Sequence, residues 1–245
     1  GEFDPAAWRD TIWAVTSIFE SGKPEGNPAA YQTYDAGIIS YGKHQATLAS
    51  GTLHQVMLAY FERSDTAVSQ TLQTEYADRI AQRDQSLRTD ERLKELLLAA
   101  AEEPAMSQAQ DGVFDGRFYQ PAVKQAKAHN LSAPLGLACL YDTQIQGGLF
   151  IVLPRVVEKL GGIVGESGNE GLIDETAFIA AFLDEREARL LRLADQFEAN
   201  GNTANAQALR ISTFRVTEYR KLLDAGNLAL AGTLNIRGQS VDGVS

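Results

Sequence analysis

Ala7-Trp-Arg-Asp-Thr-Ile-Trp-Ala-Val-Thr-Ser-Ile-Phe-Glu20 is the stretch from which the fold is read. Trp8, Ile12, Val15 and Phe19 recur at helical spacing, which gives an amphipathic helix one apolar face. Gly22 to Pro28 then holds two prolines and two glycines, so the helix must stop there, with Glu20 at its end.

The same periodicity extends outward over most of the chain. Ser50-Gly-Thr opens a helix to about Phe61, with Leu53, Met57 and Tyr60 on one side. Residues 65–103 read as one or two helices with a charged outer face. Asp111-Gly and Asp115-Gly mark a turn region, and Pro121 suits the first turn of a further helix. Leu135–Gln146 is an apolar, central helix. Gly161 to Gly171 reads as a glycine-rich loop. Asp174 is an N-cap for a long helix, Thr176–Asn200. Ala204–Ala225 is a last long helix closed by Gly226-Asn227. The strand candidate is Ala36-Gly-Ile-Ile-Ser-Tyr41, short and β-branched. The fold class is therefore mainly α, of the α+β type.

Composition narrows the function. The 245 residues are enough for one large domain, or for two lobes sharing a cleft, without metal or disulfide staples. The single cysteine, Cys139, lies in an apolar stretch and reads as core. A net charge of -10 argues against nucleic acid as a partner, because such affinity comes from lysine and arginine. No apolar run approaches the roughly 18 residues that a membrane span requires. The first residues carry no signal-peptide pattern. His44, His54 and His129 are scattered without metal-ligand spacing, so neither a metal nor a cofactor is called for.

Two groups of residues carry chemistry. Glu20 at a helix end and Asp35 just before the strand suit glycoside hydrolysis, in which one carboxyl donates a proton and the other is ionised. Apolar neighbours such as Phe19 are expected to raise the pKa of the donor. Taken alone, two acids at this spacing are weak evidence and also read as a solvated helix end and a turn residue. The second group is sharper. Phe178, Phe182, Arg186 and Leu190 recur every four residues, as do Ile211, Arg215 and Tyr219, with Leu222 close behind; Ala138, Asp142 and Ile145 share a face. Buried charges are costly unless paired, so a buried Arg186–Asp142–Arg215 network is expected. It serves as structural glue, or one arginine also reaches Glu20 and orients it.

In order along the chain, Ser17–Glu20, Ala36–Tyr41, Arg117–Lys127, Leu140–Thr143, Asp174–Arg186 and Ala225–Leu228 resemble blocks of the family-46 chitosanases, members of the lysozyme-like superfamily. Residues 65–110 carry little of the likeness. The resemblance implies a two-lobed, lysozyme-like helical fold with a small β-sheet beside one cleft, the whole of 1–245 forming one glycoside hydrolase domain. It implies Glu20 as general acid, backed by Asp142, Arg186 and Arg215. There is a departure: the family's second carboxylate falls near Ala30 here, and Asp35 stands where the family usually has a threonine that holds the attacking water. Asp35 is thus the expected base, with Glu25 as fallback. Tyr31, Tyr34, Tyr41, Lys43 and His44 are candidates to line sugar subsites.

The altered second carboxylate and the look of an excised domain put peptidoglycan first as substrate. That reading makes the chain an antibacterial muramidase, secreted or delivered to the bacterial cell wall or periplasm, within a larger effector or phage protein that has an immunity partner. Chitosan is the alternative, favoured by the charge of -10 because bacterial walls are polyanionic. A catalytically inactive wall-binding module is the third reading.

Overall fold

The computed structural model describes residues 2–34 and 36–245. Its elements are α1 (Pro5–Ser21), β1 (Tyr31–Gln32), β2 (Ser40–Tyr41), β3 (Ala46–Thr47), α2 (Thr52–Phe61), α3 (Ala67–Glu75), α4 (Ala77–Ala81), α5 (Glu91–Ala100) and α6 (Pro104–Phe114). There follow α7 (Gln120–Ala128), α8 (Pro134–Gln146), α9 (Leu149–Leu160), β4 (Ser167–Gly168), β5 (Gly171–Leu172), α10 (Glu175–Ala199), α11 (Thr203–Ser212), α12 (Phe214–Asp224), β6 (Thr233–Ile236) and β7 (Gln239–Asp242). The chain divides into two compact units, Gly1–Pro24 with Gln120–Ser245, and Glu25–Tyr119. Among the described residues no helix is long and apolar enough to cross a membrane.

The first unit is built around α8, whose residues from Pro134 to Thr143 are all buried. It packs against α1, α7, α9, α10 and α12. The helix α1 starts on Pro5 behind Asp4, whose Oδ1 accepts from the Ala7 N–H at 3.1 Å. It ends on Gly22 at φ 76°, a left-handed cap that suits glycine. Trp8, Ile12, Val15 and Phe19 are buried, each such side chain stabilising by about 1.5–3 kcal/mol. Asp174 caps α10 through the Ala177 N–H at 2.7 Å.

Two sequence expectations for this unit need correction, and one element was not expected. The single helix over 204–225 is two, broken at Thr213. There the Ser212 and Thr213 hydroxyls each donate at 2.7 Å to a carbonyl three residues back, in competition with the helical ladder. The break leaves Ile211 exposed. The glycine-rich loop contains the hairpin β4–β5, where a Cβ on Gly168 would stand 2.2 Å from the Leu160 carbonyl oxygen. The chain also ends in a hairpin, β6–β7, turned by Arg237 and Gly238 at φ 52° and 80°. Leu234, Ile236 and Val241 face its buried side.

The second unit holds a three-stranded antiparallel sheet, β1-β2-β3, with Tyr31 opposite Tyr41 and Tyr41 opposite Ala46. The expected strand Ala36–Tyr41 shrinks to Ser40–Tyr41. Ile38 has φ 71°, and the Ile39 N–H bonds the Gly37 carbonyl at 2.9 Å, so the isoleucines form a buried tight turn. The expected one or two helices in 65–103 are α3, α4, a 3-10 turn at Gln85–Thr89 and α5. Side-chain caps from Thr66, Asp84 and Asp90 punctuate that run. The Asp-Gly pairs do not turn: α6 runs through Asp111-Gly112, and Asp115–Tyr119 is one π-helical turn.

Candidate active site

In the first unit, Glu20 is the penultimate residue of α1 and its side chain is 47% exposed. Arg215, on α12, donates from Nη2 to Glu20 Oε1 and from Nη1 to Asp142 Oδ1 at 3.0 Å. Asp142, on α8, is wholly buried; its Oδ2 accepts from Arg186 Nη2 at 2.6 Å and its Oδ1 from the Thr16 hydroxyl at 3.1 Å. Arg186 Nη2 also donates to Gln146 Oε1 at 2.7 Å. A chain of charges therefore runs Arg186–Asp142–Arg215–Glu20 across α10, α8, α12 and α1. Burial works against the Arg215 cation, and Asp142 and Glu20 more than offset it, so its pKa is raised. Phe19 is packed edge-on by Phe214 and Tyr219, with the Arg215 guanidinium 5.7 Å from its ring.

Thr16 and Gln146 are members of this chain that sequence reasoning missed. Each lies four residues from a charged member on its own helix, Thr16 from Glu20 and Gln146 from Asp142, and that spacing is the signal that finds them. Cys139 is buried, and burial pushes its thiol pKa far up, so it is no nucleophile.

The remaining candidates belong to the second unit. Asp35 lies outside the described residues. Glu25 is exposed in the loop before β1, and Ala30 offers only a methyl group, its carbonyl accepting from the Gly42 N–H at 2.8 Å. Tyr31 and Tyr34 line a pocket of about 260 Å³ together with Arg88, Asp90, Glu91 and Lys94. Burial first, then Glu91 and Asp90, push the Tyr31 hydroxyl up to about 12, so it stays protonated as a hydrogen-bond donor.

Tyr41 is corrected to a core residue: it is fully buried and its hydroxyl donates to the Leu97 carbonyl at 2.7 Å. Lys43 Nζ donates to Ser107 Oγ and Asp111 Oδ2, both at 2.7 Å. His44 Nε2 lies 2.9 Å from Asp111 Oδ1, and its ring stacks on Phe114 at 4.7 Å. Both side chains tie the β2–β3 turn to α6. Gln110, also missed, is buried and joins two loops: its Oε1 accepts from the Lys43 N–H and its Nε2 donates to the Pro28 carbonyl, each at 3.0 Å. Among the described residues no group of three or more histidine, cysteine or acidic side chains is placed to hold a metal ion.

A helix-end carboxylate gripped by a buried arginine, on a mainly helical frame, is an arrangement that suits a glycoside hydrolase. Residues 37–234 match the model of Glycosyl hydrolase family 46, and the chain belongs to that family. A chitosanase of Bacillus subtilis (strain 168) is 29% identical over 235 residues, which cover 91% of this chain and 79% of the relative. A chitosanase of Streptomyces sp. (strain N174) is 33% identical over 138 residues, 54% of this chain and 42% of the relative. Among solved structures, the Gynuella sunshinyii GH46 chitosanase in complex with chitotetraose superimposes with a TM-score of 0.74 at 28% identity, covering 96% of each chain. A mutant chitosanase from Bacillus subtilis MY002, complexed with 6 GlcN, does so with 0.73 at 25% identity, covering 96% of this chain and 95% of the other. The fold is the lysozyme-like one of these chitosanases.

These matches overturn peptidoglycan as the expected substrate, and with it the muramidase, and they give no support to the antibacterial effector or the immunity partner. The relatives are chitosanases. The substitution at Ala30 that favoured peptidoglycan is a local change, whereas the charge of -10 opposes a polyanionic wall throughout.

Proposed function

We propose that this chain hydrolyses the β-1,4 bonds of chitosan, with Glu20 as general acid. The observation that carries the reading is its membership of a family whose chitosanase relative aligns over 91% of the chain. The charge of -10 supports it, because chitosan is a polycation. In this reading the 245 residues act as one catalytic domain outside the cell, since the polymer is too large to be taken in whole.

Glu20 enters the reaction protonated and gives its proton to the bridging oxygen. Arg215 holds Oε1, so the proton is assigned to Oε2. Asp142 and Arg186 fix Arg215 in turn; these are positioning residues, and none of them reacts. Asp35 activates the water in place of the acid absent at Ala30, with Glu25 as the competing base. Tyr31 and Tyr34 contact sugar.

Digestion of chitosan and of purified peptidoglycan in parallel, with products read by mass, tests the proposal. Glucosamine oligomers from chitosan, and their loss in Glu20→Gln, are the expected result. Muropeptide release without chitosan cleavage overturns the substrate, and full activity in Glu20→Gln overturns the acid. Chitosan binding with no cleavage at all makes the chain a binding module instead.

A further inference from the structure

A groove of about 570 Å³ in the first unit, lined by α7, α8 and α9, has no part in the chemistry above. Asp142 and Gln146, one turn apart on α8, serve the ion chain. Gln144 stands two residues from Asp142, about 200° around the helix, and lines the groove. The groove and the ion chain therefore occupy opposite faces of α8.

Its lining suits a ligand that is apolar on one face and rich in donors at its edge. Phe150, in the first turn of α9, is 80% exposed. Pro154 lies inside α9 and has no N–H, so it cannot make the helical bond to the Phe150 carbonyl four residues back. That carbonyl, on the groove side, lacks the donor that an α-helix otherwise supplies. Glu158 follows at the next four-residue step, so Phe150, Pro154 and Glu158 form one stripe about 12 Å long. Gln125 and Gln144 add side-chain amides, and neither lysine nor arginine is among the lining residues.

We propose that this groove is an accessory binding site for glucosamine oligomers, which holds the polymer at a place other than Glu20. The identity of the ligand rests on the chitosan reading. A pyranose ring lays its C–H face on Phe150 and Pro154. The 2-ammonium of a neighbouring ring, further along the stripe, meets Glu158 as a charge-assisted hydrogen bond. The sugar hydroxyl groups donate to the Phe150 carbonyl and bond the glutamines. Acetylation removes the cation, so N-acetylglucosamine oligomers are excluded.

The test titrates glucosamine hexamer into Glu20→Gln and into Glu20→Gln carrying Phe150→Ala and Glu158→Gln, by calorimetry and amide NMR. Two classes of site are expected in the first and one in the second, with N-acetylglucosamine hexamer silent at the groove. In the otherwise native enzyme, the groove pair leaves glucosamine tetramer turnover unchanged and raises KM for polymeric chitosan about five-fold. An isotherm and a polymer KM that the groove pair does not alter overturn the site. Binding at the groove by a chain that cleaves no chitosan overturns the catalytic reading and leaves the site standing.

Discussion

Replacing Asp142 with alanine removes the carboxylate that two buried guanidiniums share. Arg186 keeps Gln146 and Arg215 keeps Glu20, so neither is wholly stranded. The cost therefore sits at the low end of the range for breaking a buried ion pair, about 3 kcal/mol. The Thr16 hydroxyl loses its acceptor as well, for about 1 kcal/mol more. For a chain of this length, about 4 kcal/mol lowers the melting temperature by roughly 10 °C. Scanning calorimetry and far-UV circular dichroism measure it directly. Asp142→Asn, which keeps an oxygen for Thr16 but not the charge, falls between alanine and native. Melting of Asp142→Ala within about 2 °C of native refutes the reasoning, because two buried cations would then need no counter-charge. Below the transition, the alanine variant also loses kcat beyond its unfolded fraction, because Arg215 is no longer braced from behind.

Arg215→Lys lowers kcat about 100-fold with KM little changed, since a point charge on a flexible stem cannot bridge Glu20 and Asp142 as a planar fork does; steady-state kinetics on glucosamine oligomers separates the two constants. Asp35→Asn lowers kcat by about 10²–10⁴, whereas Glu25→Gln leaves it within a few-fold; the reverse order transfers the base to Glu25. Asp111 is pushed up by burial and, more strongly, down by its bonds to His44 and Lys43, so its pKa lies below the usual 3.8. An acid depressed in this way stabilises the fold above its unfolded pKa, and that stability is lost as pH falls through the folded value. The side chain is 39% exposed, so screening limits the effect to about 0.5–1 kcal/mol. Asp111→Asn therefore melts a few degrees lower than native above about pH 5, and the gap closes as the pH drops below 3.8. A gap that widens in acid has the wrong sign for this pairing.

The helices were legible because burial in a helical bundle writes a period of 3.6 residues into the sequence. Phe178, Phe182, Arg186 and Leu190 show the pattern and are all buried. The same pattern exposed the charges, since Arg186 and Asp142 stand on apolar stripes where only a partner makes them tolerable. What escaped was set by contacts between distant segments. Tyr41 reads as a sugar platform, yet its hydroxyl is consumed by the Leu97 carbonyl, 56 residues on. Lys43 and His44 read as cleft residues and are committed to Asp111, which itself reads as a turn. The closing hairpin escaped because Arg237-Gly238 lacks the Asn-Gly or Asp-Gly signature of its turn. The substrate escaped because the change at Ala30 is one position, whereas the likeness lies in the order of blocks along most of the chain.

The ion chain is hard to explain as a device for stability. Arg186 Nε and Nη1 and Arg215 Nε are buried without hydrogen-bond partners, and apolar side chains of similar volume often serve a core as well or better. What apolar residues cannot do is hold a carboxyl oxygen at a helix end in one orientation. Four helices combine to hold it here. Arg186 comes from α10, Asp142 from α8, Arg215 from α12, and both Thr16 and Glu20 from α1. A shift of any of them moves Arg215 relative to the Glu20 side chain, so the packing of the first unit sets the direction in which the acid points. In the proposed reaction, that is the arrangement a proton donor needs when it must meet one oxygen of a long, flexible polymer.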